Sequence, residues 1–514
     1  SKRDMDKEET VTKIGEKPVG WDQLCTNMLV YGATGAGKTT GVLLNIMPDI
    51  LATGVPCLFM CAKQDDPDNY DKLCRNNGRE PVHIGDDAEK INLFGELLRS
   101  MREAGTKDDQ IEFELAENLT SICQIDGEQK SEGNEFWEGL QAQFFRFLIP
   151  YMSVLYGLDT ISIKGVNDEV NRIRSMTAKD EEYWEILDYL GDLEREDISK
   201  GLAQHVNMDD RTKSNLFIGV TSVLSPLVSP MYDRILSSID PIGMIECIDA
   251  GYPIIVDPYA DGPPGSRTIQ VICKMIYVDY VRRKQSKIHA VVVADECHKF
   301  IQSRDADVLT TSRSAGLCFL HLTQSKHNIL SRFGKDSHGA DAWQANNDIV
   351  IYTRTKDKET IKDVVEAAGE AKVKMKSTSP TSMIGVGTSE QYRPRITADM
   401  METLPSGGAE YGYRVGSYIF FSNREKDDTY TYHAWKQPFG PSTPMQDAKE
   451  GLRSMTGTTA RTMSGPATVL FYFAYGLWSA IPLIILMPVY MQMDGARDIE
   501  EAASQVGFGS FIMA

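Results

Sequence analysis

Short runs of apolar residues, separated by polar or glycine-rich turns, recur along the 514-residue chain and predict buried strands. Strands that are apolar at several successive positions are typical of a sheet covered by helices. The runs lie at 27–31, 55–62, 252–257, 289–294, 316–324 and 347–353, and strand-like patterns continue at 411–421 and 429–435. We therefore predict an α/β fold organised around one large sheet.

A different pattern interrupts the strands between about residues 106 and 240, where apolar residues recur with the period of a helix. Segments 136–148 and 182–190 are examples, and their aromatic residues are expected in the helical core rather than in base-stacking platforms. The sequence thus predicts an inserted all-α domain at 106–240. The sheet-forming domain is predicted in two parts, 1–105 and 241–445.

The C-terminal end has a third character. A linker at 446–466 precedes the 25 uncharged residues of 467–491, and a short tail follows at 492–514. Because 25 uncharged, mostly apolar residues can cross a bilayer core of about 30 Å, we predict a transmembrane helix at 467–491. The alternative is a buried pair of core helices broken at Pro482 and Pro488. Basic residues concentrate before this segment, which places the preceding domains in the cytoplasm.

One glycine-rich stretch satisfies the phosphate-binding pattern G-x-x-x-x-G-K-[ST] and lies between a predicted strand and a predicted helix. Backbone N–H groups in such a loop can turn inward onto phosphates, and the helix dipole adds attraction. Lys38 is expected to reach the β- and γ-phosphates, and the Thr39 hydroxyl to hold Mg²⁺. The alternative is a chance glycine-rich turn. The predicted ATP-binding residues are Gly32, Thr34, Gly35, Ala36, Gly37, Lys38, Thr39 and Thr40.

The predicted strand at 289–294 ends in two adjacent carboxylates, Asp295 and Glu296. In a phosphate-loop fold the first acid can order the Mg²⁺ shell, and the second can orient or deprotonate the attacking water. Asp295 is therefore predicted to bind Mg²⁺ with Thr39, and Glu296 to be catalytic. The alternative is an Asp-Glu pair that opens a solvated helix, but its combination with Lys38 favours an ATP-hydrolysing motor.

Two more positions are predicted to be catalytic. Gln324 ends the strand at 316–324, where its amide can sense the γ-phosphate or the lytic water. Arg313 lies just upstream and can complete a neighbouring subunit's site as an arginine finger. Its alternative is a surface arginine near a helix end, and Arg304 and Arg354 compete for the same role.

The order of these motifs resembles the FtsK–HerA branch of RecA-like motors, and more closely the type IV secretion coupling proteins of conjugative DNA transfer. The likeness covers residues 20–440 and is carried by 31–40, 62–66, 294–300, and 312–314 with 323–324. It implies a RecA-like P-loop ATPase core with an inserted all-α domain, ATP and Mg²⁺ as cofactors, and a homohexamer. Coupling proteins usually carry their membrane anchor before the motor domain, whereas the predicted span here comes last.

The resemblance further implies that the motor couples DNA, expected to be single-stranded, or a relaxase–DNA conjugate to secretion-channel proteins at the bacterial inner membrane. A net charge of −19 argues against a protein that coats DNA, because such proteins are normally basic. DNA contact is therefore expected in loops that line a ring. Two rivals remain: an ATPase that moves polypeptide in protein secretion or pilus assembly, and a membrane scaffold that uses nucleotide as a structural ligand.

The nine cysteines include no C-x-x-C pair and no zinc-type spacing with histidine. Cysteines scattered through predicted strands and helices are most simply explained as buried thiols. The sequence therefore predicts reduced cysteines in a reducing compartment rather than a disulfide framework.

Overall fold

The structure is a computed structural model, and it describes residues 10–85, 91–124, 134–236, 243–284, 288–302, 304–333, 337–377, 387–422 and 430–438. The chain divides into two units, 1–438 and 439–514, and the described residues all belong to the first. The predicted linker at 446–466, membrane helix at 467–491 and tail at 492–514 lie outside the described residues.

Within the described part of the chain, no single helix combines the length and apolar composition needed to cross a membrane. One pair of helices, Asp210–Leu227 and Pro230–Leu236, meets the criterion only when taken together, and it is bent by 78°.

The strands form one large sheet and two separate antiparallel pairs. They are β1 (Thr10–Ile14), β2 (Lys17–Gly20), β3 (Met28–Tyr31), β4 (Cys57–Met60), β5 (Val82–Ile84), β6 (Pro253–Val256), β7 (Ala290–Ala294), β8 (Leu317–Thr323), β9 (Ile349–Tyr352), β10 (Glu370–Ser377), β11 (Gly387–Pro394), β12 (Arg414–Phe421) and β13 (Thr431–Lys436). Nine of them form the large sheet in the order β13-β12-β9-β3-β8-β7-β4-β6-β5. The pairs β1–β2 and β10–β11 stand apart from it.

The large sheet is parallel from β9 to β5, and at its other end β12 pairs antiparallel with both β9 and β13. The residues of β3, β4, β6 and β7 are buried at every position. Burial on both faces explains why these strands are continuous apolar runs rather than alternating ones. The predicted α/β fold with one large sheet is confirmed.

Helices cover both faces of the sheet and fill the long connection between β5 and β6. They are α1 (Trp21–Leu24), α2 (Leu44–Ala52), α3 (Asp66–Asn76), α4 (Leu93–Glu103), α5 (Asp108–Cys123), α6 (Asn134–Tyr156), α7 (Ile163–Ser175), α8 (Glu181–Asp192), α9 (Glu196–Val206), α10 (Asp210–Leu227), α11 (Pro230–Leu236), α12 (Met244–Ala250), α13 (Ser266–Arg283), α14 (Asp305–Ala315), α15 (Lys326–Phe333), α16 (Ser337–Ala345), α17 (Lys358–Ala368) and α18 (Ala398–Glu402). A π-helical turn, Lys38–Leu43, leads into α2.

The connection between β5 and β6 contains helices α4 to α12, as the helical period predicted. In α6, Phe144, Phe145 and Leu148 are fully buried, whereas Phe136 and Trp184 (the latter in α8) have more than half of their surface exposed. The helical core therefore takes most, but not all, of the aromatic side chains. The domain boundaries at 106 and 240 stay a prediction.

The sheet separates two hydrophobic cores. On one face Leu29, Leu58 and Val292 join a core that continues without a break into helices α4 to α13. On the other face, alternate residues of the same strands pack against α1, α2 and α3. Because the helical connection shares a core with one face of the sheet, the two are packed as one body rather than as separate modules.

All nine cysteines are reduced and buried. Burial raises the pKa of several of these thiols, among them Cys25 and Cys57, to about 12. A thiol with so high a pKa carries almost no thiolate at neutral pH and is a poor nucleophile. The prediction of buried reduced thiols is confirmed.

Candidate active site

The glycine-rich loop begins where β3 ends, at the carboxyl edge of the parallel strands. Gly35 and Gly37 have φ values of 72° and 82°, in the left-handed region that glycine tolerates best. The loop is fixed to the neighbouring strand end, because Ala33 N donates to Arg354 O at 2.9 Å. Gly32 is equally constrained, since a Cβ there would lie 1.8 Å from Thr353 Oγ1.

The side chain of Lys38 lies within this loop and is only 6% exposed. Its ammonium donates to Gly32 O at 2.7 Å and to Ala33 O at 3.4 Å. Burial lowers the pKa of Lys38, while the carboxylates of Glu296 and Asp295 act in the opposite direction. A buried cation bound only to loop carbonyls is well placed to meet phosphate oxygens.

The predicted metal ligands face each other across the loop. Thr39 Oγ1 donates to Asp295 Oδ2 at 2.6 Å, although 256 positions separate the two residues in sequence. A hydroxyl and a carboxylate are hard oxygen ligands of the kind Mg²⁺ prefers, with the remaining positions taken by phosphate and water. Among the described residues no cluster of three or more His, Cys, Asp or Glu side chains could hold a metal. The site therefore fits a magnesium ion bound together with nucleotide.

Glu296 follows Asp295 in a strained conformation. Its φ of 54° and ψ of 47° lie in the left-handed region, where a non-glycine residue costs about 1–2 kcal/mol. The side chain is buried, and Oε1 accepts from Gln324 Nε2 at 2.9 Å. Oε2 has no hydrogen-bond partner in the part of the chain that the structure describes. Oε2 is free of hydrogen bonds to those residues and is oriented by the hydrogen bond to Oε1, so it can accept a proton from water.

Two basic side chains flank this carboxylate. Lys63 Nζ lies 3.7 Å from Glu296 Oε1 and His298 Nδ1 lies 3.7 Å from Oε2. Burial alone would lower the pKa of Lys63, but Asp295 and Glu296 outweigh it and the pKa is raised. Burial lowers the pKa of His298 to about 4, so this ring is neutral at physiological pH. Lys63 is thus the cation that faces Glu296.

The structure brings together the loop, Asp295, Glu296 and Gln324, which the sequence predicted separately. Thr34, Gly35 and Thr40 are exposed, and Thr40 Oγ1 accepts from Gln437 Nε2 at 2.7 Å. Lys63 and Thr353 carry no functional prediction from the sequence. Both could have been found in the sequence as polar residues at the end of a predicted buried strand, the pattern that identified Gln324.

The three candidate arginines lie in different places. Arg313 is exposed in the last turn of α14, just before β8 begins, and so lies at the edge of the sheet opposite the glycine-rich loop. Arg354 follows β9 at the loop's own edge. Arg304 Nη1 donates to Asn118 Oδ1 of α5 at 2.8 Å, and burial lowers its pKa. Of these three arginines, Arg354 is the one that lies next to the glycine-rich loop of its own chain.

Close packing behind the loop gives a stability prediction. A Cβ on Gly41 would lie 2.7 Å from Val415 Cβ and Cγ2 of β12. We expect Gly41→Ala to destabilise the chain by about 1–3 kcal/mol, because the added methyl overpacks this contact. Scanning calorimetry should show a lower Tm, and Val415→Ala should restore most of it. Gly139→Ala is the matched control, since a Cβ there meets nothing within 4 Å.

A Gly41→Ala chain with unchanged Tm, or one that Val415→Ala makes still less stable, would contradict this packing. The double variant separates the steric clash from any intrinsic preference of the π-helical turn for glycine.

Comparison with known proteins gives one family-model match and several similar solved structures. Residues 289–406, which include Asp295, Glu296 and Gln324, match the family model described as the TraM recognition site of TraD and TraG. The bacterial conjugative coupling protein TrwBdeltaN70 in its unbound form aligns with a TM-score of 0.60 at 15% identity. The alignment covers 85% of this chain and 90% of that one. The resemblance to coupling proteins is confirmed.

Two nucleotide complexes of TrwB show the same fold. The complex with the GTP analogue GDPNP aligns with a TM-score of 0.56 at 15% identity, covering 85% of this chain and 93% of that one. The complex with ADP and Mg²⁺ has the same TM-score at 16% identity, covering 86% and 93%. At this identity the likeness establishes the RecA-like fold. No curated protein matches the chain in sequence.

Proposed function

We propose that the chain is an ATP-hydrolysing motor that moves DNA, or a protein–DNA conjugate, into a type IV secretion or conjugation channel. One observation carries the proposal: Lys38, Thr39, Asp295, Glu296 and Gln324 meet at one edge of a sheet with the fold of a conjugative coupling protein. The solved complexes of TrwB with nucleotide analogues and with ADP and Mg²⁺ support ATP and Mg²⁺ as its ligands.

The residues of the site have distinct roles in this proposal. Lys38 binds the β- and γ-phosphates, and Thr39 and Asp295 hold Mg²⁺. Bound there, the metal would neutralise charge that develops on the phosphate oxygens. Glu296 orients the attacking water and takes its proton on Oε2, the oxygen without a partner. Gln324 holds the other oxygen and thereby fixes the direction in which the carboxylate points.

Assembly into a homohexamer is part of the proposal. Arg313 lies at the edge of the sheet opposite its own chain's loop, so we propose that it completes the site of a neighbouring subunit. An exposed arginine at the opposite edge of the sheet can reach the site of the next subunit in a ring. Secretion-channel proteins are the proposed partners, and 467–491 is the proposed anchor in the bacterial inner membrane, with the ATPase in the cytoplasm.

The test measures ATP turnover by the full-length chain in mild detergent and asks which substrate stimulates it. We expect single-stranded DNA to raise the rate severalfold and the stimulation to fall as salt rises, because phosphate contacts release counterions. Duplex DNA and an unfolded polypeptide are the comparison substrates, and Glu296→Gln is the background control.

Stimulation by polypeptide without any by DNA would overturn the DNA proposal in favour of a protein-secretion ATPase. Tight nucleotide binding with no turnover under any of these conditions would instead indicate a scaffold that uses nucleotide as a structural ligand.

A further inference from the structure

One face of α13 carries three polar side chains, Arg267, Gln270 and Lys274, at positions i, i+3 and i+7. Residues with this spacing line up along one side of a helix. Gln270 is fully buried and Lys274 is 5% exposed, although both are polar. We call this row the α13 ridge. Most buried polar side chains in proteins are hydrogen-bonded, so the partners of these three indicate what the ridge does.

The ends of the ridge bind the turn that follows Glu296. Arg267 Nε donates to Lys299 O at 2.5 Å, and Lys274 Nζ donates to Phe300 O at 2.6 Å. From another helix, α15, Arg332 Nε donates to His298 O at 2.6 Å. Three successive carbonyls, beginning two residues after Glu296, are therefore held by three cationic donors from two helices.

The middle of the ridge binds the ends of two other strands. Gln270 Oε1 accepts from Cys61 N at 3.2 Å, just after β4. Its Nε2 donates to Val256 O at 2.8 Å and to Pro258 O at 2.7 Å, at the end of β6. The loop after β4 continues to Lys63, whose ammonium faces Glu296. One side chain thus fixes the segment that carries this cation.

Helix α13, which carries the ridge, also forms ion pairs with residues outside the candidate site. At the far end of α13, Arg283 pairs with Asp279 at 2.8 Å and with Glu114 of α5. Lys274 is itself paired with Asp305 at 2.6 Å, at the start of α14. Burial lowers the pKa of Lys274, and Asp305 opposes this effect. A helix held by these ion pairs is a suitable support for groups that must hold loops in place.

Such support is needed because Glu296 occupies a strained backbone conformation. A strained residue persists only where surrounding structure over-determines its position. We propose that Arg267, Gln270 and Lys274 are positioning residues for hydrolysis, which hold Glu296 and Lys63 in register with the nucleotide. The inference rests on the proposed ATPase function, and it assigns no contact between the ridge and the nucleotide.

The test compares Arg267→Met, which keeps the length of the side chain and removes its donors, with Arg267→Lys, which keeps a cationic donor. In the full-length chain, Arg267→Met should lower kcat for ATP by about 10- to 100-fold, because small displacements of a catalytic group cost that much. The affinity for a fluorescent ATP analogue should stay close to that of the parent, and Arg267→Lys should recover most of kcat. Arg282→Met, at an exposed position of the same helix, is the control.

An unchanged kcat in a folded Arg267→Met chain would overturn the proposal. So would a loss of nucleotide affinity equal to the loss of kcat, because that result would indicate general loosening of the site.

A second measurement does not depend on turnover. Hydrogen–deuterium exchange of the nucleotide-free chain should be faster at 297–300 in Arg267→Met than in the parent or in Arg282→Met. Unchanged exchange there would overturn the role of the ridge. A parent that shows slow exchange at 297–300 but hydrolyses no ATP would contradict the proposed function alone.

Discussion

Glu296→Gln is expected to bind ATP as the parent does and to lose turnover by at least about 100-fold, the usual contribution of a positioned general base. The amide preserves the shape of the side chain and can still interact with Gln324, but it cannot take a proton from water. Binding would be followed with a fluorescent ATP analogue, and turnover by phosphate release. Glu402→Gln removes an exposed carboxylate in α18 and serves as the matched control.

Equal turnover in Glu296→Gln and the parent would exclude Glu296 as the base. Reduced nucleotide binding would also be informative. It would indicate that the carboxylate mainly stabilises the glycine-rich loop, through its charge interaction with Lys38, and does not act as the base.

Lys38→Ala should lose nucleotide affinity by about 100-fold or more, since truncating one partner of a buried charge pair removes several kcal/mol of binding. In the described part of the chain the ammonium donates to the carbonyls of Gly32 and Ala33, so its removal leaves the phosphates without the loop's cation. Titration with a fluorescent analogue measures the effect. Lys362→Ala, at an exposed position of α17, controls for the loss of a lysine.

Mixing two variants extends this experiment to the proposed ring. If Arg313 acts on a neighbouring subunit, Lys38→Ala and Arg313→Ala chains, each inactive alone, should regain part of the activity when they are mixed. Mixed rings contain some interfaces with an intact loop and an intact arginine. No recovery in mixtures that demonstrably co-assemble would favour a structural role for Arg313, and Arg354 would become the stronger candidate.

Most strands of the large sheet could be predicted because a strand that is buried on both faces appears in the sequence as an unbroken apolar run. The predicted strand at 289–294 is β7 (Ala290–Ala294), and that at 316–324 is β8 (Leu317–Thr323). The short strand β5 and the pairs β1–β2 and β10–β11 were not predicted. Lys372 and Glu390 illustrate why: they belong to an exposed, charged hairpin without an apolar run.

The parts of the candidate site that could be predicted are those whose sequence pattern lies within one short segment. The glycine-rich loop and the Asp-Glu pair are local patterns, and their contact follows from parallel strands that end at one edge. The α13 ridge could not be anticipated, because helix periodicity presents Gln270 and Lys274 as interruptions of a core face. Only the chain's three-dimensional course shows that their partners are the ends of β4 and β6 and the turn after Glu296.

The burial of all nine thiols has a practical consequence for labelling this protein. A maleimide dye needs an accessible thiolate, and the chain offers none of its nine cysteines on the surface. A single cysteine introduced at an exposed position, such as Asp188→Cys in α8, should therefore label selectively in the otherwise unaltered protein. Pairs of labelled chains would then test by energy transfer whether the proposed ring assembles, without any substitution in the candidate active site.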